Sequence, residues 1–245
     1  MTDEPVTDEL STAPAGVETP GQTNAVPGAR KASVRLGDDL FLCVHDFEGD
    51  RPRLSLSVLQ AVMAGGVISE LVLAGKLTVR GSTLVVTDAR PSADPLVHHV
   101  LADILAQAQS PARDLAEWLT ALGRPSVGWI ADRLLTAGVL VPTSARRRSA
   151  DIGLGYAPRN ADIPGQPAAR VACALAAGAP LSDHDRCLAA LLHASGLTSL
   201  IIPAGHARED LLVLDAELAF LPDPLTDIHR EIASTITTLT GPLPH

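Results

Sequence analysis

Apolar residues recur along most of this chain at the three- and four-residue spacing that places them on one face of a helix. The clearest example is a set at four-residue steps: Leu59, Met63, Val67 and Leu71. Either Ser55 or Ser57 is a suitable N-cap for this helix, and Gly75 is a suitable left-handed residue just beyond its end. The segment before Gly75 is nearly all apolar, which predicts a helix that is surrounded by the core.

Strand signals in the chain are few and short. Residues 77–80 and 83–87 flank Gly81-Ser82, which predicts a two-residue β-hairpin. The apolar run at residues 40–44 is either a short strand or a buried helical turn, because periodicity does not separate the two. Residues 142–167 contain prolines, glycines and an arginine triplet, and we expect a loop or an irregular hairpin there.

The remaining apolar periodicity predicts seven more helices between prolines and glycines: residues 95–107, 111–122, 127–137, 168–177, 182–195, 205–220 and 223–240. Gly123 is expected to stop the second of these helices. Residues 1–33 are rich in Pro, Gly, Thr and acids, which predicts a disordered, flexible N-terminal tail. The predicted fold class is mainly α, a single globular helical domain at residues 34–240 with small β-hairpins.

Composition bears on the choice of partner. Aromatic residues make up 2% of the chain and the net charge is −9. Modules that stack nucleobases need aromatic platforms, and general polyanion binders are basic, so nucleic acid is a disfavoured partner. A winged-helix-like binder remains an alternative, because a helix, a glycine and a hairpin could form a wing. Cys43, Cys173 and Cys187 form no CxxC pair, and we expect small buried residues in a reducing compartment.

Membrane-spanning and secretion signals are weak. No continuous apolar run approaches the roughly 18 residues of a membrane span. The amino terminus is acidic where a signal peptide would be basic. We therefore expect a cytoplasmic protein whose contact with a membrane is peripheral.

The sequence contains little reaction chemistry. Asp183-His184-Asp185 could ligate a metal, but it follows Ser182 at a predicted helix start, where acids complement the helix dipole. Gly153-Leu154-Gly155 lacks the third glycine of a nucleotide loop, and no nucleophile elbow is present. We predict no enzyme, no catalytic residue, no metal and no cofactor.

Positive charge is concentrated between residues 124 and 159. Six arginines against two aspartates leave +4 there: Arg124, Arg133, Arg146, Arg147, Arg148 and Arg159 against Asp132 and Asp151. Guanidinium groups bind phosphates in a bidentate manner, so convergent arginines make an anion site. The alternative is a solvated loop whose charge aids solubility.

Several segments, in this order, resemble the Golgi phosphoprotein 3 (GPP-type) family: residues 36–42, 68–77 with the hairpin after them, 94–96, 118–119, 133–140 and 189–197. The resemblance covers residues 34–240 and is to a bacterial member. It implies a mostly helical single domain with a peripheral membrane role. Eukaryotic members bind phosphatidylinositol 4-phosphate and, through other surfaces, the tails of Golgi glycosyltransferases.

The family's lipid pocket uses one tryptophan and three arginines, which fall here on Ser55, Ala64, Arg124 and Val127. Only Arg124 is kept. Charge-assisted hydrogen bonds contribute about 1.5–3 kcal/mol each, so the losses remove a specific headgroup pocket. The arginine triplet at residues 146–148 is then the expected looser substitute.

We therefore predict a peripheral protein on the inner face of the cell membrane. Its predicted partner is an anionic phospholipid headgroup, and its predicted contact residues are Arg124, Arg146, Arg147 and Arg148. The alternative is a cytoplasmic protein–protein adaptor module in which the lipid site is vestigial.

Overall fold

A helix that is buried along most of its length, α2 (Leu56–Leu73), lies at the centre of the fold. The structure is a computed structural model that describes residues 35–107, 113–143, 155–202 and 207–241. By length and composition α2 could cross a membrane, since its 18 residues have a mean hydropathy of 1.8. Helix α2 thus has the length of a membrane span, although the sequence contains no continuous apolar run of that length. However, 72% of that segment is buried inside the protein, which is the burial of a core helix.

The described residues form eight α-helices: α1 Leu36–Val44, α2 Leu56–Leu73, α3 Pro95–Gln107, α4 Leu115–Thr136, α5 Gln166–Ala176, α6 Asp183–Ala194, α7 Ala207–Leu218 and α8 Asp223–Thr240. A short 3₁₀ helix, Thr198–Leu200, follows α6. The mainly helical fold class is therefore confirmed, and the ambiguous apolar run at residues 40–44 belongs to helix α1. Helices α1, α4, α6 and α8 pack against α2 and bury its apolar side chains.

Three two-stranded antiparallel sheets connect the helices in the described residues. Their strands are β1 His45–Asp46 with β2 Arg51–Pro52, β3 Leu77–Arg80 with β4 Thr83–Val86, and β5 Leu140–Pro142 with β6 Tyr156–Pro158. The β3–β4 hairpin confirms the predicted two-residue turn, in which Gly81 has a φ of +63°. In the third sheet Leu140 pairs with Pro158, and the intervening residues 144–154 lie outside the described part of the chain.

The predicted helix break at Gly123 is wrong, because α4 runs without interruption from Leu115 to Thr136. Gly123 is a point of close helix approach: a Cβ there would lie 3.1 Å from Cβ of Gln60 on α2. Packing against α2 thus accounts for the glycine, and the helix continues through it and through Pro125. At the start of α4, Asp114 and Glu117 form a reciprocal capping box.

The predicted N-terminal tail at residues 1–33 lies outside the described residues, and its disorder stays a prediction. Two of the predicted helices, α3 and α8, have the predicted bounds. The cysteines differ from expectation in one respect: Cys43 and Cys187 are buried, whereas Cys173 is exposed.

Candidate functional site

Helix α4 presents an exposed stripe at four-residue steps, formed by Arg124, Gly128, Asp132 and Thr136. Residues at this spacing share one face of a helix. Arg124 begins the stripe near the middle of α4, and Thr136 ends it where the helix ends. The stripe therefore carries one of the four predicted headgroup residues on a rigid element.

Arg124 is exposed and makes no hydrogen bond or ion pair with any residue that the structure describes. No described residue therefore competes with a ligand for its guanidinium. The other three candidates, Arg146, Arg147 and Arg148, lie outside the described residues. The structure describes both ends of their connection, where the Thr143 amide donates to the Gly155 carbonyl at 3.0 Å.

The three positions at which the resemblance expects other pocket residues do not form an anion site. Ala64 is fully buried in the core, and Val127 is half-buried against it. Ser55 is exposed as the N-cap of α2 but makes no side-chain cap hydrogen bond. Alanine and valine thus replace the two arginines that the resemblance expects at these positions, and neither side chain can bind a phosphate headgroup.

A cavity of about 220 Å³ lies where α2, α4 and α8 meet. It is lined by Ser57, Gln60, Ala61, Leu119, Thr120, Gly123, Thr235 and Leu239, none of which is ionisable. Arg124 directly follows the lining residue Gly123 and is the nearest cation along α4. Arg124 thus adjoins the cavity along the chain, although its side chain does not line it.

Arg133, on the inner side of α4, forms a layer of buried ion pairs. Its Nε donates to Asp38 at 2.7 Å, and its two terminal nitrogens donate to the Glu70 carboxylate at 2.7 and 3.0 Å. Asp94 completes the layer: its Oδ2 lies 3.4 Å from Arg133 and 2.9 Å from Nε of Arg35. Arg133 is therefore saturated and does not contribute to an anion site.

This ionic layer also holds the backbone of α1. The amide of Gly37 donates to Glu70 Oε2 at 3.0 Å, so one carboxylate joins α1, α2 and α4. Burial raises the pKa of Asp38 to about 6, against the opposing effect of the nearby Arg133. The sequence signal that could have found this layer is Glu70 itself, a single acid in an otherwise apolar helix, which requires a buried partner.

A larger cavity of about 510 Å³ lies outside the ionic layer, between the start of α1, α3 and the last turns of α4. Pro95, Leu96 and Ala137 supply apolar surface, and Trp129 supplies an aromatic wall. The Trp129 ring meets the ring of His99 edge-on, with centroids 4.8 Å apart. No motif in the sequence indicated this cavity, because its lining comes from three separate helices.

The Asp183-His184-Asp185 segment begins helix α6, as predicted, with the Ser182 side chain accepting a hydrogen bond from the Asp185 amide. His184 Nε2 lies 3.0 Å from an Asp39 carboxylate oxygen. In the described part of the chain no group of three or more His, Cys, Asp or Glu residues could hold a metal ion. The segment therefore contributes a helix start and a link to α1.

A comparison with protein families identifies the chain's relatives. The family model Golgi phosphoprotein 3 (GPP34) matches residues 36–230, which include every helix from α1 to α7 and most of the candidate site. A comparison with curated proteins finds no match. Members of this family associate peripherally with Golgi membranes and are not known as enzymes, and membership supports a role in lipid or protein binding. The chain therefore belongs to the Golgi phosphoprotein 3 (GPP34) family.

Proposed function

We propose that this chain is a peripheral membrane protein that binds anionic phospholipid headgroups, with phosphatidylinositol 4-phosphate as the lipid that the family implies. The observation that carries the proposal is the state of Arg124. Its side chain is exposed and has no partner among the described residues. A free guanidinium can form two parallel charge-assisted hydrogen bonds to a phosphate group.

The proposed mode of binding is electrostatic attraction to the membrane surface. Ala64 and Val127 replace two arginines of the family's pocket, so specific headgroup contacts are fewer. Each basic residue near an anionic surface contributes about 1 kcal/mol, and four of them hold a protein loosely and reversibly. The four residues proposed here are Arg124, Arg146, Arg147 and Arg148. Because the attraction is screened within about 10 Å at moderate ionic strength, salt should release the protein.

This proposal places the protein in the cytoplasm, on the inner face of the cell membrane. Anionic lipids give that surface its negative potential. The acidic chain as a whole, with a net charge of −9, is repelled from such a surface. Binding therefore depends on orientation, with Arg124, Arg146, Arg147 and Arg148 facing the lipid.

Vesicle flotation with the full chain tests the proposal. Vesicles of phosphatidylcholine alone are compared with vesicles that also contain phosphatidylserine or phosphatidylinositol 4-phosphate, at low and high salt. The variants are Arg124→Ala and a triple substitution, Arg146→Ala with Arg147→Ala and Arg148→Ala. Arg80→Ala is the matched control, because Arg80 is also exposed and without a described partner but lies in the β3–β4 hairpin.

We expect flotation only with anionic vesicles, weaker binding by both test variants, and no change for Arg80→Ala. Equal flotation with neutral and anionic vesicles would overturn the proposal. An equal loss in Arg80→Ala would also contradict it, since any exposed arginine would then suffice. Preference for phosphatidylinositol 4-phosphate over phosphatidylserine at equal charge would identify the lipid.

The second candidate function is a protein–protein adaptor in which the lipid site is vestigial. The full burial of Ala64 favours it, because the core occupies a position where the family's pocket has an arginine. Helix α7 and the turn after it also expose apolar side chains, with Leu212 at 65% and Phe220 at 70%. Partner capture that is unchanged by vesicles and by the arginine substitutions would support the adaptor and contradict lipid binding.

A further inference from the structure

The 510 Å³ cavity beside the ionic layer has the size and surface of a small-molecule site. Such sites typically have volumes of roughly 300–1,000 Å³, mostly apolar walls and a few polar groups that orient the ligand. Here the apolar walls come from α3 and α4, and the half-buried Trp129 adds a planar aromatic surface. The question is which polar groups remain available to a ligand.

Two charged groups of opposite sign line this cavity, and each keeps polar atoms that no described residue binds. Asp132 is exposed and makes no hydrogen bond or ion pair with any described residue. Arg35 uses its Nε for Asp94 at 2.9 Å, and its terminal nitrogens have no partner among the described residues. The Arg35 side chain is 33% exposed. The two groups line one cavity but do not pair with each other.

The other charged group in the wall is not available. Arg133 is bound by the carboxylates of Asp38, Glu70 and Asp94, and only 8% of its side chain is exposed. The cavity lining therefore contains one available cationic group and one available anionic group, together with apolar and aromatic surface.

The geometry points to a small zwitterion with an apolar body, of the size and chemistry of a free apolar or aromatic α-amino acid, as the ligand of this cavity. The ligand's carboxylate binds the terminal nitrogens of Arg35, in the bidentate manner typical of guanidinium groups. Its ammonium binds the carboxylate of Asp132. Its apolar body packs between Leu96 and Trp129.

Charge argues against a simple anion as the ligand. Asp132 lines the cavity, and the lining guanidinium groups of Arg35 and Arg133 are bound by carboxylates of the ionic layer. The cavity wall and the layer together hold four carboxylates against two guanidinium groups, a formal charge of −2. A ligand with net negative charge is repelled by this surplus, whereas a zwitterion adds no net charge. The Trp129 ring also attracts an ammonium group through its negative face.

This cavity is separate from the proposed lipid contact. Asp132 follows Arg124 by eight residues on the same stripe, which is about 12 Å along the helix axis. None of the residues proposed to contact lipid lines the cavity. Vesicle binding and amino-acid binding can therefore be lost independently of each other.

Calorimetric titration of the full chain with L-phenylalanine and L-leucine tests the inference. Two blocked forms serve as ligand controls: N-acetyl-L-phenylalanine, which lacks the ammonium, and L-phenylalaninamide, which lacks the carboxylate. O-Phosphoethanolamine carries an ammonium and an anionic group without the apolar body, and its phosphate gives it a net negative charge at neutral pH. Quenching of Trp129 fluorescence in a Trp118→Phe variant, where Trp129 is the remaining tryptophan, gives an independent readout.

The test variants are Asp132→Asn and Arg35→Gln. Their matched controls are Asp215→Asn, at an exposed aspartate on α7, and Arg80→Gln, at an exposed arginine of the β3–β4 hairpin. Circular dichroism shows whether each variant is folded. If Arg35→Gln does not fold because it leaves Asp94 without one of its partners, the exposed Asp132→Asn and the blocked ligands still decide the question.

We expect L-phenylalanine to bind, and each blocked form and O-phosphoethanolamine to bind at least tenfold more weakly. In Asp132→Asn, the difference in affinity between L-phenylalanine and N-acetyl-L-phenylalanine should shrink, because the carboxylate that binds the ammonium is gone. Absence of binding by either amino acid would overturn the inference. Equal binding of the blocked and free forms, or of O-phosphoethanolamine and L-phenylalanine, would overturn it as well.

Discussion

Two arginines on helix α4, Arg124 and Arg133, show how differently one residue type can be used within a single element. Arg133 faces inward, with 8% of its side chain exposed, and binds three carboxylates. Arg124, nine positions earlier, faces solvent and binds none of the described residues. The first arginine holds α1, α2 and α4 together, and the second is free for a ligand.

This difference changes the meaning of the basic segment at residues 124–159. Counted by sequence, its six arginines form one positive cluster. In the structure, Arg133 is neutralised by the ionic layer, and Arg159 donates its Nε to the Gly138 carbonyl at 2.6 Å. Charge counting along a chain therefore overestimates an anion site wherever arginines also act as internal partners.

The largest effect is expected from removing Arg133. Arg133→Ala leaves three carboxylates without their shared cation, and breaking a buried ion pair in this way costs roughly 3–5 kcal/mol. Arg124→Ala removes an exposed side chain without a described partner, and surface changes of this kind usually stay within about 0.5 kcal/mol. Urea denaturation followed by circular dichroism measures both free energies of unfolding.

A double substitution sharpens the same comparison. Replacing Glu70 and Arg133 together by methionine removes opposite charges from the layer and should recover part of the stability lost in Arg133→Ala. If Arg133→Ala lowers the free energy of unfolding no more than Arg124→Ala does, the ionic layer does not stabilise the fold.

His45 is a third case, a buried ionisable group that pairs with no opposite charge among the described residues. Its Nδ1 lies 2.7 Å from the Phe41 carbonyl, and its ring packs against the rings of Phe41 and Tyr156. Burial lowers the pKa of His45 from 6.5 to about 4, and the charge of Arg53 acts in the same direction. His45 therefore stays neutral in the folded protein at neutral pH.

The lowered pKa makes stability depend on pH with a definite sign. Above pH 6.5 the histidine is neutral in both states, whereas between pH 6.5 and pH 4 the unfolded chain binds a proton that the folded protein does not. Acidification over this interval should thus destabilise the fold by roughly 3 kcal/mol through His45. Asp38 has the opposite effect. Because folding raises its pKa to about 6, its contribution to the free energy of unfolding falls as pH rises from 4 to 6.

Comparing wild type with His45→Gln separates these two effects. Denaturation at a series of pH values gives the difference in unfolding free energy, to which Asp38 contributes equally in both proteins. We expect the advantage of wild type to shrink as pH falls from 6.5 to 4. A difference that does not change with pH would show that the His45 pKa is not lowered by folding.

The same contrast between inner and outer faces explains which features could be predicted from sequence. Helices such as α3 and α8 and the turn at Gly81-Ser82 were predictable, because local periodicity and turn residues determine them. The continuity of α4 was not, since Gly123 carries the usual signal of a helix end and only the close approach of Gln60 explains it. The free state of Arg124 and the saturation of Arg133 were likewise hidden, because both depend on partners distant in sequence.

Gly65 on α2 and Gly128 on α4 extend the comparison of inner and outer faces. Alanine at these two positions should change the free energy of unfolding by a smaller amount and with opposite signs. A methyl group at Gly65 would overlap the side chain of Ile232, which is fully buried. Overpacking of this kind costs about 1–3 kcal/mol, more than the roughly 1 kcal/mol that alanine returns through its helix propensity. At Gly128, on the exposed stripe of α4, an added methyl group meets nothing within 4 Å.

Gly65→Ala should therefore lower the free energy of unfolding, and Gly128→Ala should raise it by about 0.5–1 kcal/mol. Thermal and urea denaturation of the two variants measure the sign directly. A destabilised Gly128→Ala would mean that the stripe packs against another part of the protein, and that Arg124 is not exposed to solvent.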